Sequence, residues 1–316
     1  MKTLLLGLGA FFGVILVIVL LFGAWMIYSF VFIGHQAERQ VSKTEPYKAL
    51  TEGVSIRDIP YAGPTLERDY GRPFGIDGDP NGEWLLLDDN TLKAGERVMS
   101  DDPGKPVYRL ALPPSLLSSP GTDDLAGADD QALVFSGSKV FSAENNNVGA
   151  ELADLSQFAL GGIGYGQWLN DQYLVVGGYL HTDKGTRTPL WQIRYPDFSA
   201  TLIVDDTFYL HVTVPAVYRF PEQSLSVLVY FTGSIAWGFG GDVNKPEYSV
   251  IRVYNERWPN GQDIARFGFS AGIVRSVVAE TTADGQSTLV VLTDPTRPSG
   301  VEGSEVLPPK QWWVSF

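Results

Sequence analysis

From Thr3 to Gly34 the chain carries no Asp, Glu, Lys, Arg or His. A bilayer core needs about 20 mostly apolar residues for one helical span. The apolar core of a secretory signal is shorter, about 7–15 residues. No cleavage site suits the run: Ala24 is small, but Phe22 stands two before it, where a small residue is wanted. With no cysteine in the chain, anchoring through a lipid-modified cysteine is excluded. The run reads as an uncleaved signal anchor, with the membrane as its partner over residues 3–34. Trp25, Tyr28, Phe30 and Phe32 crowd its C-terminal end, where aromatic rings favour the water–lipid interface. Gly9 and Gly13 have the G-x-x-x-G spacing that lets two membrane helices approach closely, which predicts a homodimer through this pair.

Orientation has two opposed signals. Arg39, Lys43 and Lys48 follow the run and only Lys2 precedes it, which by cation counting puts the body in the cytoplasm. The very short positive N-terminal tail and the acidic, strand-rich body favour export instead. We adopt the second reading: an inner-membrane, single-pass protein with its body in the periplasm or extracellular.

Charge narrows the partners. The chain has 36 acidic and 23 basic side chains, and Lys2 is the only charged residue before position 35, so the remainder is at −14. Nucleic-acid binding relies on Lys and Arg neutralising phosphates, so nucleic acid is excluded as a partner. Without cysteine there are no disulfides and no thiolate metal sites. No N-x-[ST] glycosylation sequon occurs.

Residues 35–53 are polar and helix-tolerant up to Pro46, and read as a stalk. From Val54 the texture changes: short runs of Val, Ile, Leu and aromatic residues alternate with clusters of Gly, Pro, Asn and Asp, the signature of an all-β fold. The predicted division is therefore an anchor over 1–34, a stalk over 35–53 and an all-β extracytoplasmic domain over 54–316. Core strands are expected at "EWLLLDD" (from 83), "QALVFSG" (131), "QYLVVGGYL" (172), "LSVLVYFTG" (225) and "STLVVLTDP" (287). Partner strands follow at "PVYRLALP" (106), "PLWQIRYPD" (189), "YSVIRVYNERWP" (248) and "KQWWVSF" (310), two of them ending in aromatic–Pro–polar turns. A unit of about 50 residues resembles β-propeller blades, giving a β-propeller-like fold of about five blades, with a large β-sandwich as the other all-β solution. "ELADLSQFAL", from 151, is the best short helix outside the anchor.

Few stretches carry chemistry. In "DGDPNGEWLLLDD" Asp77, Asp79 and Asn81 alternate, Gly82 follows, and Asp88 lies at the twelfth position of the loop. That approaches a calcium loop, so calcium is the one cofactor to consider. Against it, Asp replaces the usual Glu at the last position, and Asp-Pro-Asn-Gly sets a tight turn on its own. "GFSAG" places Ser270 in a G-x-S-x-G pattern, but no histidine follows it and a strand-like segment does, contrary to the nucleophile elbow. His35, His181 and His211 lack ligand-spaced partners. Residues 77–130 hold acidic pairs at 88–89, 101–102, 123–124 and 129–130, which read as solvated loops or as a face for a basic partner.

The expected role is a membrane-anchored extracytoplasmic binding or scaffolding protein of a bacterial envelope assembly, including a partner-neutralising, immunity-type role. The protein partner is unidentified. The alternative is a carbohydrate-active enzyme with paired carboxylates about 5–10 Å apart, for which Asp69 and Asp171 are examples.

Overall fold

The computed structural model describes residues 13, 15–28, 45–61, 82–88, 90–94, 105–116, 131–158, 162–182, 185–205, 215–232, 248–268, 271–281, 287–294 and 309–316. Residue 13 and residues 15–28 are helical. Among the described residues no helix is long and apolar enough to cross a membrane. The rest of the predicted anchor lies outside them. Every side chain from Ile15 to Phe22 is exposed, as are Trp25, Ile27 and Tyr28.

The body is all-β and antiparallel. Its first strands, β1 (Tyr47–Ala49) and β2 (Ser55–Ile59), are taken up by sheets formed much later in the chain. A first sheet comprises β3 (Gly82–Asp88), β4 (Thr91–Ala94), β5 (Lys105–Ala111), β6 (Ala132–Ser136), β7 (Lys139–Glu144) and β8 (Asn147–Asp154), and closes on itself as a barrel. A second holds β9 (Gly162–Trp168), β10 (Tyr173–Thr182), β12 (Leu190–Arg194) and β13 (Ala200–Val204) in that order, with the short β11 (Gly185–Arg187) beside β10. The third runs β14 (Ala216–Phe220), β15 (Leu225–Thr232), β16 (Tyr248–Tyr254), β17 (Gln262–Gly268), then β1. The fourth runs β18 (Ile273–Thr281), β19 (Ser287–Asp294), β20 (Lys310–Ser315), then β2.

The sheets stack in sequence order because their central strands are apolar on both sides. Successive side chains of a strand point to opposite faces. Leu225, Val227 and Val229 of β15 pack with Val277, Leu289 and Val291 of the fourth sheet. Leu228 and Tyr230, between and beyond them, pack with Val175 and Leu190 of the second. In β10, Val175 faces the third sheet while Leu174 and Val176 face Leu133 and Phe135 of the first. Ala132 and Val134, the alternate residues of β6, fill the first sheet's own interior with Val107 and Leu92. Each fully buried side chain of this kind contributes about 1.5–3 kcal/mol.

Polar side chains cross the same junctions. The Tyr108 hydroxyl donates to the Gly166 carbonyl (3.0 Å), and the Trp168 indole N–H to that of Ala111 (2.8 Å). Between the second and third sheets, the Val217 N–H donates to Gln167 Oε1 (2.8 Å) and the Ser226 hydroxyl to the Leu169 carbonyl. Between the third and fourth, the Tyr218 hydroxyl donates to the Arg275 carbonyl (3.3 Å) and the Val274 N–H to Ser249 Oγ (3.3 Å). On the far face of the fourth sheet Val278 is half exposed.

Two local expectations change. Residues 151–154 are strand, not helix: the chain turns at Asn145 and Asn146, both with left-handed φ (49° and 63°), and pairs back on β7. Two consecutive φ > 0 residues suit a tight hairpin. And part of the expected stalk is folded, since β1 pairs Tyr47 with Phe267 and Ala49 with Ala265.

Residues 45–59 thus form a strap over the outer edges of two sheets. Tyr47 lies against Trp312 (ring centroids 5.0 Å). Leu50 N–H donates to the Ile264 carbonyl (2.9 Å), and Thr51 Oγ1 to that of Asp263 (2.8 Å). Beyond the turn, β2 pairs with β20 from Ser55–Ser315 to Ile59–Gln311. A chain beginning at Glu45 should melt as one cooperative unit. One beginning after Ile59 bares two sheet edges and should aggregate on size-exclusion chromatography; a monodisperse, cooperatively melting product would refute the strap's role.

Candidate functional site

An open cleft of about 410 Å³ lies where turns of the second and third sheets meet. Its walls come from three turns: β9–β10, β14–β15 and β16–β17.

Two of these turns share one chemistry. Asn170 Oδ1 accepts the backbone N–H groups of Gln172 and Tyr173, both at 2.9 Å. Asn255 Oδ1 accepts that of Trp258, also at 2.9 Å. Short Asn side chains make such turns readily because they replace a backbone acceptor. Each carboxamide spends its oxygen on its own turn. Neither Nδ2 has a protein partner among the described residues, and both residues line the cleft.

Across the cleft, Arg219 Nη2 donates to Asp171 Oδ1 at 3.0 Å, with both side chains between a third and a half exposed. An ion pair so open to water contributes about 0–1 kcal/mol. It sets position more than stability, holding an acceptor and a donor side by side.

Beneath the third turn lies a more buried knot. Arg252 Nη1 donates to Asp263 Oδ1 (3.0 Å), Nη2 to the Asn260 carbonyl (3.1 Å) and Nε to Tyr254 Oη (3.1 Å). Gly261 completes it, with φ at +79°. A Cβ there would overlap the Tyr254 ring and stand 2.6 Å from Arg252 Nε. Burial pushes the Tyr254 hydroxyl up to about 12, and that of Tyr218 likewise. Tyr230 is also raised, by burial first and then by the Asp263 carboxylate.

Of the residues the sequence singled out, Asp171 is the one in this cleft. Asp69, Asp77, Asp79, Asn81, His35, His211 and Ser270 lie outside the described residues. Asp88 is the last residue of β3, opposite Thr91. His181 is in β10, opposite Thr186. Strands β17 and β18 flank the Ser270 turn, so a strand stands where a nucleophile elbow needs a helix. Among the described residues Asp171 is the single carboxylate lining the cleft, and no histidine or lysine joins it there. Among the described residues no cluster of three His, Cys, Asp or Glu side chains is placed to hold a metal. The cleft is equipped to hydrogen-bond a ligand, without a nucleophile–base pair. Sequence reasoning does not single out Asn170, Arg219 or Asn255; an Asn three residues before an aromatic, "NDQY" and "NERW", is the signal that marks the two asparagines.

The buried tyrosines set a pH response. Their folded pKa lies above the unfolded value near 10, so between pH 10 and about 12 the unfolded chain has lost protons that the folded one keeps. Stability therefore falls with rising pH across that window and is fully present below it. Thermal melts from about pH 8 to 12 should show this drop, and Tyr218→Phe should make it shallower. An unchanged profile in that variant would remove Tyr218 as a contributor.

No protein-family description, no curated protein and no solved structure matches this chain.

Proposed function

We propose that this chain is a membrane-anchored extracytoplasmic β-rich binding or scaffolding protein of a bacterial envelope assembly, with a partner-neutralising, immunity-type role inside the same class. One observation carries the anchoring: the helix at 15–28 is apolar on every side and nothing in the described fold covers it. Water would penalise such a surface at roughly 25 cal/mol per Å² of apolar area, whereas lipid would not. Together with the uncharged run from Thr3 to Gly34 it supports a single span over residues 3–34 and a body held at the periplasmic or outer face of the inner membrane.

Binding is supported by the cleft, which offers hydrogen-bonding side chains without paired acids. The enzymatic alternative has less behind it here, since glycoside cleavage calls for two carboxylates and Asp171 stands without a second among the lining residues. For the architecture, the stacked antiparallel meanders and the pairing of β2 with β20 support a propeller-like reading, with four sheets among the described residues where about five blades are expected. The homodimer through Gly9 and Gly13 rests on their G-x-x-x-G spacing.

Placement is tested by fusing reporters after Phe316. An export-dependent enzyme should be active, a cytoplasm-only one silent, and the product should stay with membranes after carbonate extraction. A cytoplasm-active reporter overturns the topology, and a soluble periplasmic product overturns the anchor. The candidate ligands Asp77, Asp79, Asn81 and Asp88 are tested by chelation. If they only shape a turn, removing calcium leaves the melting temperature unchanged. An occupied site at 100 times its dissociation constant would contribute about 2.7 kcal/mol, visible as a fall of several degrees.

A further inference from the structure

The cleft and the start of the strap lie at opposite ends of the third sheet. Strand β14 ends at Phe220 and β16 at Tyr254, and the turns after them line the cleft. Strand β17 starts at that end with Gln262 and runs away from it to Gly268. The strap starts at Gly268: its N–H donates to the Pro46 carbonyl at 2.9 Å, and a Cβ on it would stand 2.6 Å from the Glu45 carbonyl oxygen. Seven residues at about 3.4 Å each separate the two ends by roughly 20 Å.

The cleft's polar groups select a type of ligand. Asp171 and Arg219 present an acceptor and a donor 3.0 Å apart. A trans peptide points its N–H and C=O in opposite directions, so one peptide unit does not bridge such a pair. Two neighbouring hydroxyls do, since each can donate and accept. Asn170 and Asn255, which also line the cleft, add neutral Nδ2 donors. Pro221, Pro259 and Leu225 give the cleft apolar surface, of the kind that fills most of a small-ligand site around a few polar groups. The ion pair cancels its own charge, and the acidic body disfavours anions.

We infer that this cleft binds a short uncharged glycan segment through its vicinal hydroxyls and does not cleave it. Asp171 accepts from one hydroxyl, Arg219 donates to its neighbour, and the two Asn carboxamides donate to the hydroxyls beyond. This rests on reading the protein as a binding protein, but not on its membrane placement.

The experiment uses the full chain in a detergent without a sugar headgroup. Maltotetraose, cellotetraose and chitotetraose are each titrated by calorimetry and by saturation-transfer NMR. At least one should bind. Loss of one hydrogen bond to a charged group costs about 1.5–3 kcal/mol, so Asp171→Ala and Arg219→Ala should each weaken binding by at least about tenfold. Both side chains are half exposed, so melts should match the wild type, and Gln172→Ala gives a third variant at the same rim. Glu151→Ala, on β8, should bind normally. Failure of all three probes at millimolar concentration overturns the inference while leaving the anchoring result untouched. Binding unaffected by the Asp171 and Arg219 substitutions removes it from this cleft, and the appearance of shorter oligosaccharides replaces binding with hydrolysis.

Discussion

The structure depends on strands that are buried on both faces. Strand β15 is the clearest: from Leu225 to Phe231 every residue is buried. Leu225, Val227 and Val229 belong to the core shared with the fourth sheet, and Leu228 and Tyr230 to the core shared with the second. A strand of this kind cannot stand at a water-facing sheet surface, since either face would expose a row of aliphatic groups. It requires a sheet on each side, and β10 makes the same demand one sheet earlier. Two such strands in consecutive sheets are enough to impose stacking in sequence order.

Stacking leaves sheet edges to manage, because an outer strand presents unpaired N–H and C=O groups to any other chain. The third and fourth sheets solve this with residues 45–59: β1 covers β17 and β2 covers β20. Tyr47 packs on Trp312, and the Trp312 indole N–H donates to Thr293 Oγ1 (2.9 Å), which donates to the Ala271 carbonyl (2.7 Å). Tyr47 is therefore held through a chain of contacts that runs across β20 and β19.

The strongly apolar strands are legible in the sequence because double-sided burial makes them continuous hydrophobic runs. "LSVLVYFTG" and "QYLVVGGYL" fall on β15 and β10, and their partners "YSVIRVYNERWP" and "PLWQIRYPD" fall on β16 and β12. The two aromatic–Pro–polar steps are the turns that end β12 and β16. Less visible are the strands that begin and end each sheet. Strand β9 is written "GIGYGQW", whose three glycines interrupt the apolar run that marks a strand; at Gly166 a Cβ would meet the Tyr108 ring at 3.4 Å, an ordinary contact. The stretch from Glu151 reads as a helix in sequence because β8 is exposed along most of its length, and Glu, Leu and Ala at that spacing fit an amphipathic turn as well as an exposed strand. Strap and cleft are hidden for a different reason. Both depend on pairings between residues far apart in the chain, such as Tyr47 with Phe267 and Asp171 with Arg219, and no local pattern carries that information.

One chain of contacts joins these two features. Thr51, in the strap's turn, donates to the Asp263 carbonyl; the Asp263 carboxylate accepts from Arg252; and Arg252 donates to Tyr254, which lines the cleft. The links lie on adjacent strands, with Arg252 opposite Asp263 at a register shift between β16 and β17. The polar groups of the cleft sit on turns, and turns keep their geometry only when something beneath them is fixed. Gly261, Arg252 and Asp263 supply that support for the Asn255 turn, as the Gln167 and Ser226 hydrogen bonds do for the junction beside Asn170. The strap that protects two sheet edges also braces the floor of the cleft.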